Sequence, residues 1–185
     1  MDDKAGLTRR EFMKLAAAGT GSLTLLAGCA GPKESRWVFL TEDDALLLGS
    51  IADQIVPPDE WPGGREAGVV TFIDRQLAGP YSRFQADYRK GLDAITGTCI
   101  KIHGKRFENL PWEQQLSFLK DMEAGKLAGD AWKDGFCSRF FELLRNHSMQ
   151  GFYGSPRHGG NRNYVSYKMM GLDYPQIVGQ NRYRS

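Results

Sequence analysis

Apolar residues recur at steps of three and four along most of this chain, the spacing of one face of a helix. The clearest run is Tyr81, Phe84, Tyr88, Leu92, Ile95, Cys99 and Ile102, ended by His103-Gly104. Upstream, Thr41-Glu42-Asp43-Asp44 has the composition of a helix start. Its hydroxyl can cap free amides, and its carboxylates suit the positive end of the helix dipole. The helix it opens carries Leu46, Leu47, Ile51, Ile55 and Val56 inward and stops at Pro57-Pro58. A Pro/Gly loop over 57–66 leads to a second helix over 67–78, with Val70, Phe72, Ile73 and Leu77 inside and Gly79-Pro80 as its breaker. Pro111 suits the first position of a fourth helix, with Leu116, Leu119 and Met122 inward. A fifth spans 131–148, with an aromatic face of Trp132, Phe136, Cys137, Phe140, Phe141 and Leu144. No stretch alternates with the period of two that marks a strand. The pattern predicts an all-α body, a small bundle of about five helices followed by a long irregular Gly/Arg/Asn-rich C-terminal tail.

That tail, GFYGSPRHGGNRNYVSYKMMG over 151–171, departs from the helical pattern. Its glycines permit backbone turns closed to other residues. Arg157, Arg162, Asn161 and Asn163 carry donors in fixed geometry. Tyr153, Tyr164 and Tyr167 are aromatic anchors, and Tyr and Arg dominate protein interfaces. Two readings stand: a loop that packs over its own bundle, and a partner-docking surface formed by Tyr153, Pro156, Arg157, His158, Gly159, Gly160, Asn161, Arg162 and Tyr164. A phosphate cradle is disfavoured, because no following helix start and lysine accompany the glycines.

Composition narrows the function classes. The chain has 185 residues, 41% hydrophobic and 25% charged, which fits one globular domain. Its 24 basic and 22 acidic residues give a net charge of +2, with no block of like charge, so nucleic acid is not an expected partner. There is no C-x-x-C-H, no P-loop, no G-x-S-x-G and no dinucleotide fingerprint in the body. His103 suits the negative end of its helix. His147 and His158 lack the spacing of paired metal ligands on one helix. No catalytic, cofactor-binding or metal-ligating residue is assigned.

The first residues read as an export leader. The apolar run over 15–28 is shorter than the about 20 residues of a membrane span. Thr8-Arg9-Arg10-Glu11-Phe12-Met13-Lys14 resembles the twin-arginine export motif, with Arg9, Arg10, Phe12 and Lys14 in register; the alternative is an ordinary basic leader. Leu26-Ala27-Gly28-Cys29 resembles a bacterial lipobox, with Cys29 the lipid acceptor; the alternative is cleavage at a nearby small residue. The expected organisation is a leader over 1–29, a tether over 30–40 and a helical domain over 41–185. The expected location is periplasm-facing and membrane-anchored through lipid. Cys99 and Cys137 can form one bridge in that oxidising compartment, remain buried thiols, or bridge to a partner chain.

Together these residues carry a family resemblance. The twin-arginine start, Ile51-Ala52-Asp53-Gln54-Ile55-Val56-Pro57, Ala67-Gly68-Val69 with Phe72-Ile73-Asp74, and above all Gly151–Arg162 with Tyr167-Lys168 and Gly171 resemble the gluconate 2-dehydrogenase subunit 3 family. Two features depart from its pattern: Tyr167 stands where a tryptophan is expected, and 171–175 extends the usual ending. The resemblance implies a non-catalytic small subunit of a membrane-associated flavin-dependent sugar, sugar-acid or polyol dehydrogenase. It further implies FAD in a large partner subunit and haem c in a multihaem cytochrome partner, with no cofactor in this chain. The implied role is chaperone-like, in export through the twin-arginine translocase, assembly and stabilisation. Competing readings are a free periplasmic lipoprotein that binds a sugar or envelope component, and a self-sufficient enzyme in which Arg157, His158 and Asn161 bind an acidic sugar.

Overall fold

The computed structural model describes residues 36–172. Arg9, Arg10, Phe12, Lys14 and Cys29 lie outside the described residues. Within them are six α-helices, several short 3₁₀ turns and no strand.

Thr41 opens the first helix, α1 (Glu42–Ile55). Its hydroxyl accepts from the Asp44 amide at 3.1 Å, and the Asp44 carboxylate accepts from the Thr41 amide at 3.0 Å. This reciprocal capping box satisfies two otherwise orphaned donors. Helix α2 (Val69–Leu77) starts two residues later than its pattern suggests, because Gly68 takes a left-handed φ of 85°. Helix α3 (Gln85–His103) is preceded by a 3₁₀ turn at Ser82–Phe84 and stopped by left-handed Gly104. Pro111 caps α4 (Trp112–Glu123) rather than occupying its first turn.

The largest difference from the sequence pattern is α5 (Phe136–Tyr153). A 3₁₀ turn at Asp130–Trp132 and left-handed Gly135 delay its start. At the other end it continues through Gly151, so the first residues of the glycine-rich run are helix, not loop. A sixth helix, α6 (Val165–Met169), forms inside the tail.

Helix α5 packs against each of the other five helices. Phe136, Phe140, Leu144 and Phe152 form its buried stripe. At the crossing with α3, a Cβ on Gly91 would come within 2.1 Å of the Phe140 ring, so only glycine lets the two helices approach this closely. Two residues expected inside lie outside: Leu46 is 52% and Ile102 58% exposed. Leu46 shares the exposed face of α1 with Glu42 and Asp43, and Ile102 lies in the last turn of α3, where every residue from Ile100 to His103 is exposed. Cys99 and Cys137 are buried free thiols, not a bridge. Cys137 Sγ donates to the Met122 carbonyl at 3.3 Å. Burial, reinforced by Glu108, pushes the Cys99 thiol up to about 12.

The end of the expected tether is folded into the body. Leu40 is in the core. Buried Asp74, on α2, accepts the backbone amides of Val38, Phe39 and Leu40 at 2.9, 2.9 and 3.0 Å. Arg89 stacks over the Phe39 ring at 4.1 Å and donates to the Phe39 carbonyl and to Asp44. No described helix is long and apolar enough to cross a membrane.

Candidate functional site

The tail folds back on the bundle through a lock built around Asn161, which is fully buried. Its amide donates to the Gly151 carbonyl at 2.8 Å, and its Nδ2 to the Gly154 carbonyl at 2.9 Å. Its Oδ1 accepts from the Ser166 amide at 2.9 Å. One side chain therefore ties the end of α5 to the start of α6. The next amide, Arg162, donates to the Ala67 carbonyl at 2.8 Å and pins the tail to the turn before α2.

The lock depends on close backbone approach. A Cβ on Gly160 would lie 2.0 Å from the Gly151 carbonyl oxygen, and one on Gly68 would lie 2.7 Å from that of Gly159. Asn161, Asn163 and Tyr164 all hold positive φ, at 42°, 56° and 58°. Asparagine tolerates this region, whereas a tyrosine there costs about 1–3 kcal/mol that the surrounding contacts must offset.

The lock sorts the residues expected to dock a partner. Gly160 and Asn161 are interior, and Pro156, Gly159 and Tyr164 are half-buried. Tyr153, Arg157, His158 and Arg162 are exposed. Arg157 Nε donates to His158 Nε2 at 3.1 Å, so those two side chains face each other.

Arg162 stands between two concavities. One, of about 320 Å³, lies against α1 and α2 and is lined by Arg36, Trp37, Leu46, Arg65 and Val70 among others. The second, of about 330 Å³, lies against α6 and is lined by Trp61, Pro62, Asn163, Val165 and Lys168. Both are lined by Glu66 and Arg162, so the two adjoin at those side chains and make up a groove in two parts. Arg65 is held in place by Asp53 at 2.9 Å and by Ser50 Oγ at 2.7 Å. Glu42 accepts from Trp37 Nε1 at 3.1 Å. Arg162 makes no ion pair among the described residues. Sequence reading found Arg162 but missed Trp37, Trp61, Arg65 and Lys168, which come together only in the fold. The groove offers shape, charge and apolar surface. It can bind an acidic, partly apolar group.

His147 lies elsewhere, inside the bundle. Its Nδ1 and the Tyr88 hydroxyl share a hydrogen bond of 2.9 Å, and its ring stacks on Tyr81 with centroids 4.7 Å apart. Burial, aided by the nearby Arg83 charge, pushes it down to about 4, so it is neutral near pH 7. Among the described residues no group of three His, Cys, Asp or Glu is placed to hold a metal ion.

No curated protein and no solved structure matches the chain. The family described as gluconate 2-dehydrogenase subunit 3 matches residues 42–173. That span runs from the first residue of α1 to just beyond α6 and contains the whole lock. The chain belongs to the gluconate 2-dehydrogenase subunit 3 family.

Proposed function

We propose that the protein is the non-catalytic small subunit of a membrane-associated, flavin-dependent sugar, sugar-acid or polyol dehydrogenase, acting in export, assembly and stabilisation of the flavoprotein subunit. The observation that carries this reading is the match of the subunit 3 family across the body and the self-locked tail. The tail spends its glycines and Asn161 on its own packing and leaves Arg162 and the groove available to a partner.

In this reading FAD belongs to the large subunit and haem c to a cytochrome subunit. No residue of this chain is assigned to either group. A flavoprotein loads its cofactor before export and must cross the membrane folded. A small partner that bears a twin-arginine leader supplies the route. Lipid at Cys29 then holds the assembly at the periplasmic face of the membrane.

The test is affinity purification from detergent-solubilised membranes through a C-terminal tag. A flavin spectrum and a large copurifying chain are expected. A colourless single chain under gentle conditions would overturn the subunit reading in favour of a free lipoprotein. For the export role, Arg9→Lys with Arg10→Lys leaves dehydrogenase activity in the cytoplasm. Normal periplasmic activity in that double variant would remove the escort function while leaving the subunit role intact.

A further inference from the structure

We infer that the groove around Arg162 seats an extended acidic segment of the flavoprotein subunit, with a carboxylate on Arg162 and an apolar side chain against Leu46. This rests on the subunit reading and names the site and chemistry of the contact.

Charge is the first argument. Arg36, Arg65, Arg162 and Lys168 line the groove against two carboxylates, Glu42 and Glu66. Glu42 is already engaged by Trp37, and Arg65 by Asp53. Among the described residues neither Arg36 nor Arg162 makes an ion pair, so cationic groups remain over even beside Glu66, and Arg162 lines both concavities. A guanidinium presents a planar fork that matches a carboxylate in two parallel hydrogen bonds.

Apolar surface is the second argument. Leu46 projects from α1 with 52% of its surface exposed and lines the same concavity. An occupant with an aliphatic or aromatic side chain beside its acid would bury that surface, and a free sugar acid would not.

Preorganisation is the third. The backbone that carries Arg162 is fixed on both sides by left-handed residues, Asn161 and Asn163, and by the hydrogen bond from its own amide to the Ala67 carbonyl. The fixed backbone removes main-chain ordering from the cost of binding and leaves only the exposed side chain to be ordered. Residues 173–185 of this chain fit the groove poorly on charge, since Asp173 is outnumbered by Arg182 and Arg184.

The experiment uses the full-length tagged chain in cells that make the complex. A photo-cross-linking p-benzoylphenylalanine replaces Leu46, and in a control it replaces Ile102, which is comparably exposed on α3. The expected result is a cross-link from position 46, but not 102, to a flavoprotein peptide carrying Asp or Glu near the linked residue. Arg162→Glu should lower that cross-link yield about tenfold, because it puts like charge against a steered acidic partner. Arg162→Lys should retain an intermediate yield, and the exposed loop substitution Lys126→Glu should change it less than about twofold. Unchanged helical circular dichroism of Arg162→Glu separates lost docking from lost folding.

Three outcomes overturn the inference while the flavoprotein still copurifies: a link from position 46 to residues 173–185, a flavoprotein link from position 102 alone, or a linked peptide without a carboxylate. Those leave the subunit reading standing. Absence of any flavoprotein from the eluate overturns both.

Discussion

The bundle around α5 and the lock around Asn161 are neighbours held together by different physics. The bundle rests on a contiguous apolar core, in which Phe140, Leu144 and Phe152 are buried. Such a core is non-directional, tolerates volume-conserving change, and loses stability in proportion to what is removed. The lock rests on directed hydrogen bonds, positive φ and two carbonyl approaches that admit no side chain. It tolerates almost no change, but it involves few residues and can open by itself. The lesson is that cost and specificity separate: the bundle carries the global stability, and the lock carries the local geometry that presents Arg162.

The strongest way to break this contrast is to cut both regions and compare. Leu144→Ala should lower the global unfolding free energy by about 3–5 kcal/mol, seen as a fall in the urea midpoint. Gly160→Ala should cost about 3 kcal/mol at most, because the lock can open locally without unfolding the bundle. Hydrogen exchange distinguishes the two. Gly160→Ala should release the Asn161, Arg162 and Ser166 amides while α5 stays protected. Uniform loss of protection in Gly160→Ala would show that lock and bundle are one cooperative unit.

Acid probes the bundle selectively. The folded-state pKa of His147, about 4, lies below the ordinary value of about 6.5. Between those values the unfolded chain binds more protons, so stability is full above about pH 6.5 and falls as pH drops toward 4. The loss should be on the order of 3 kcal/mol. Urea midpoints measured from pH 7 to 4.5 should show it, and His147→Gln should flatten that slope. A wild-type profile flat across this range would mean that burial and the Arg83 charge do not hold His147 neutral.

The smallest expected effect is at the start of α1. Thr41→Ala removes the capping hydroxyl and should cost about 1 kcal/mol, read as a small shift in thermal midpoint. A cost near zero would mean that the Asp74 clamp on residues 38–40 already fixes the helix start.

Much of the bundle was legible because helical burial leaves a period in the chain. The Thr41 capping box, the stop before Pro57 and the aromatic stripe of α5 all follow from local rules. Boundaries failed where glycine geometry intervened, as at Gly68 and Gly135, whose left-handed φ cannot be read from composition. Asp74, Gln54 and Gln115 gave no signal of being buried. Gln115 donates to the Phe107 and Leu110 carbonyls and accepts from Gln54, a network whose partners lie up to 61 positions apart.

By itself the sequence determined that this chain is helical, which faces pack, and which family its tail marks. Those properties depend on residue order over one or two turns, or on motifs that are contiguous. Only the tertiary structure decided that Gly160 and Asn161 are interior, that Cys99 and Cys137 stay apart as thiols, and that Arg162 meets Arg65, Trp37 and Lys168 around one groove. Those properties depend on which distant backbones come within a few ångströms of one another, and no local pattern encodes that distance.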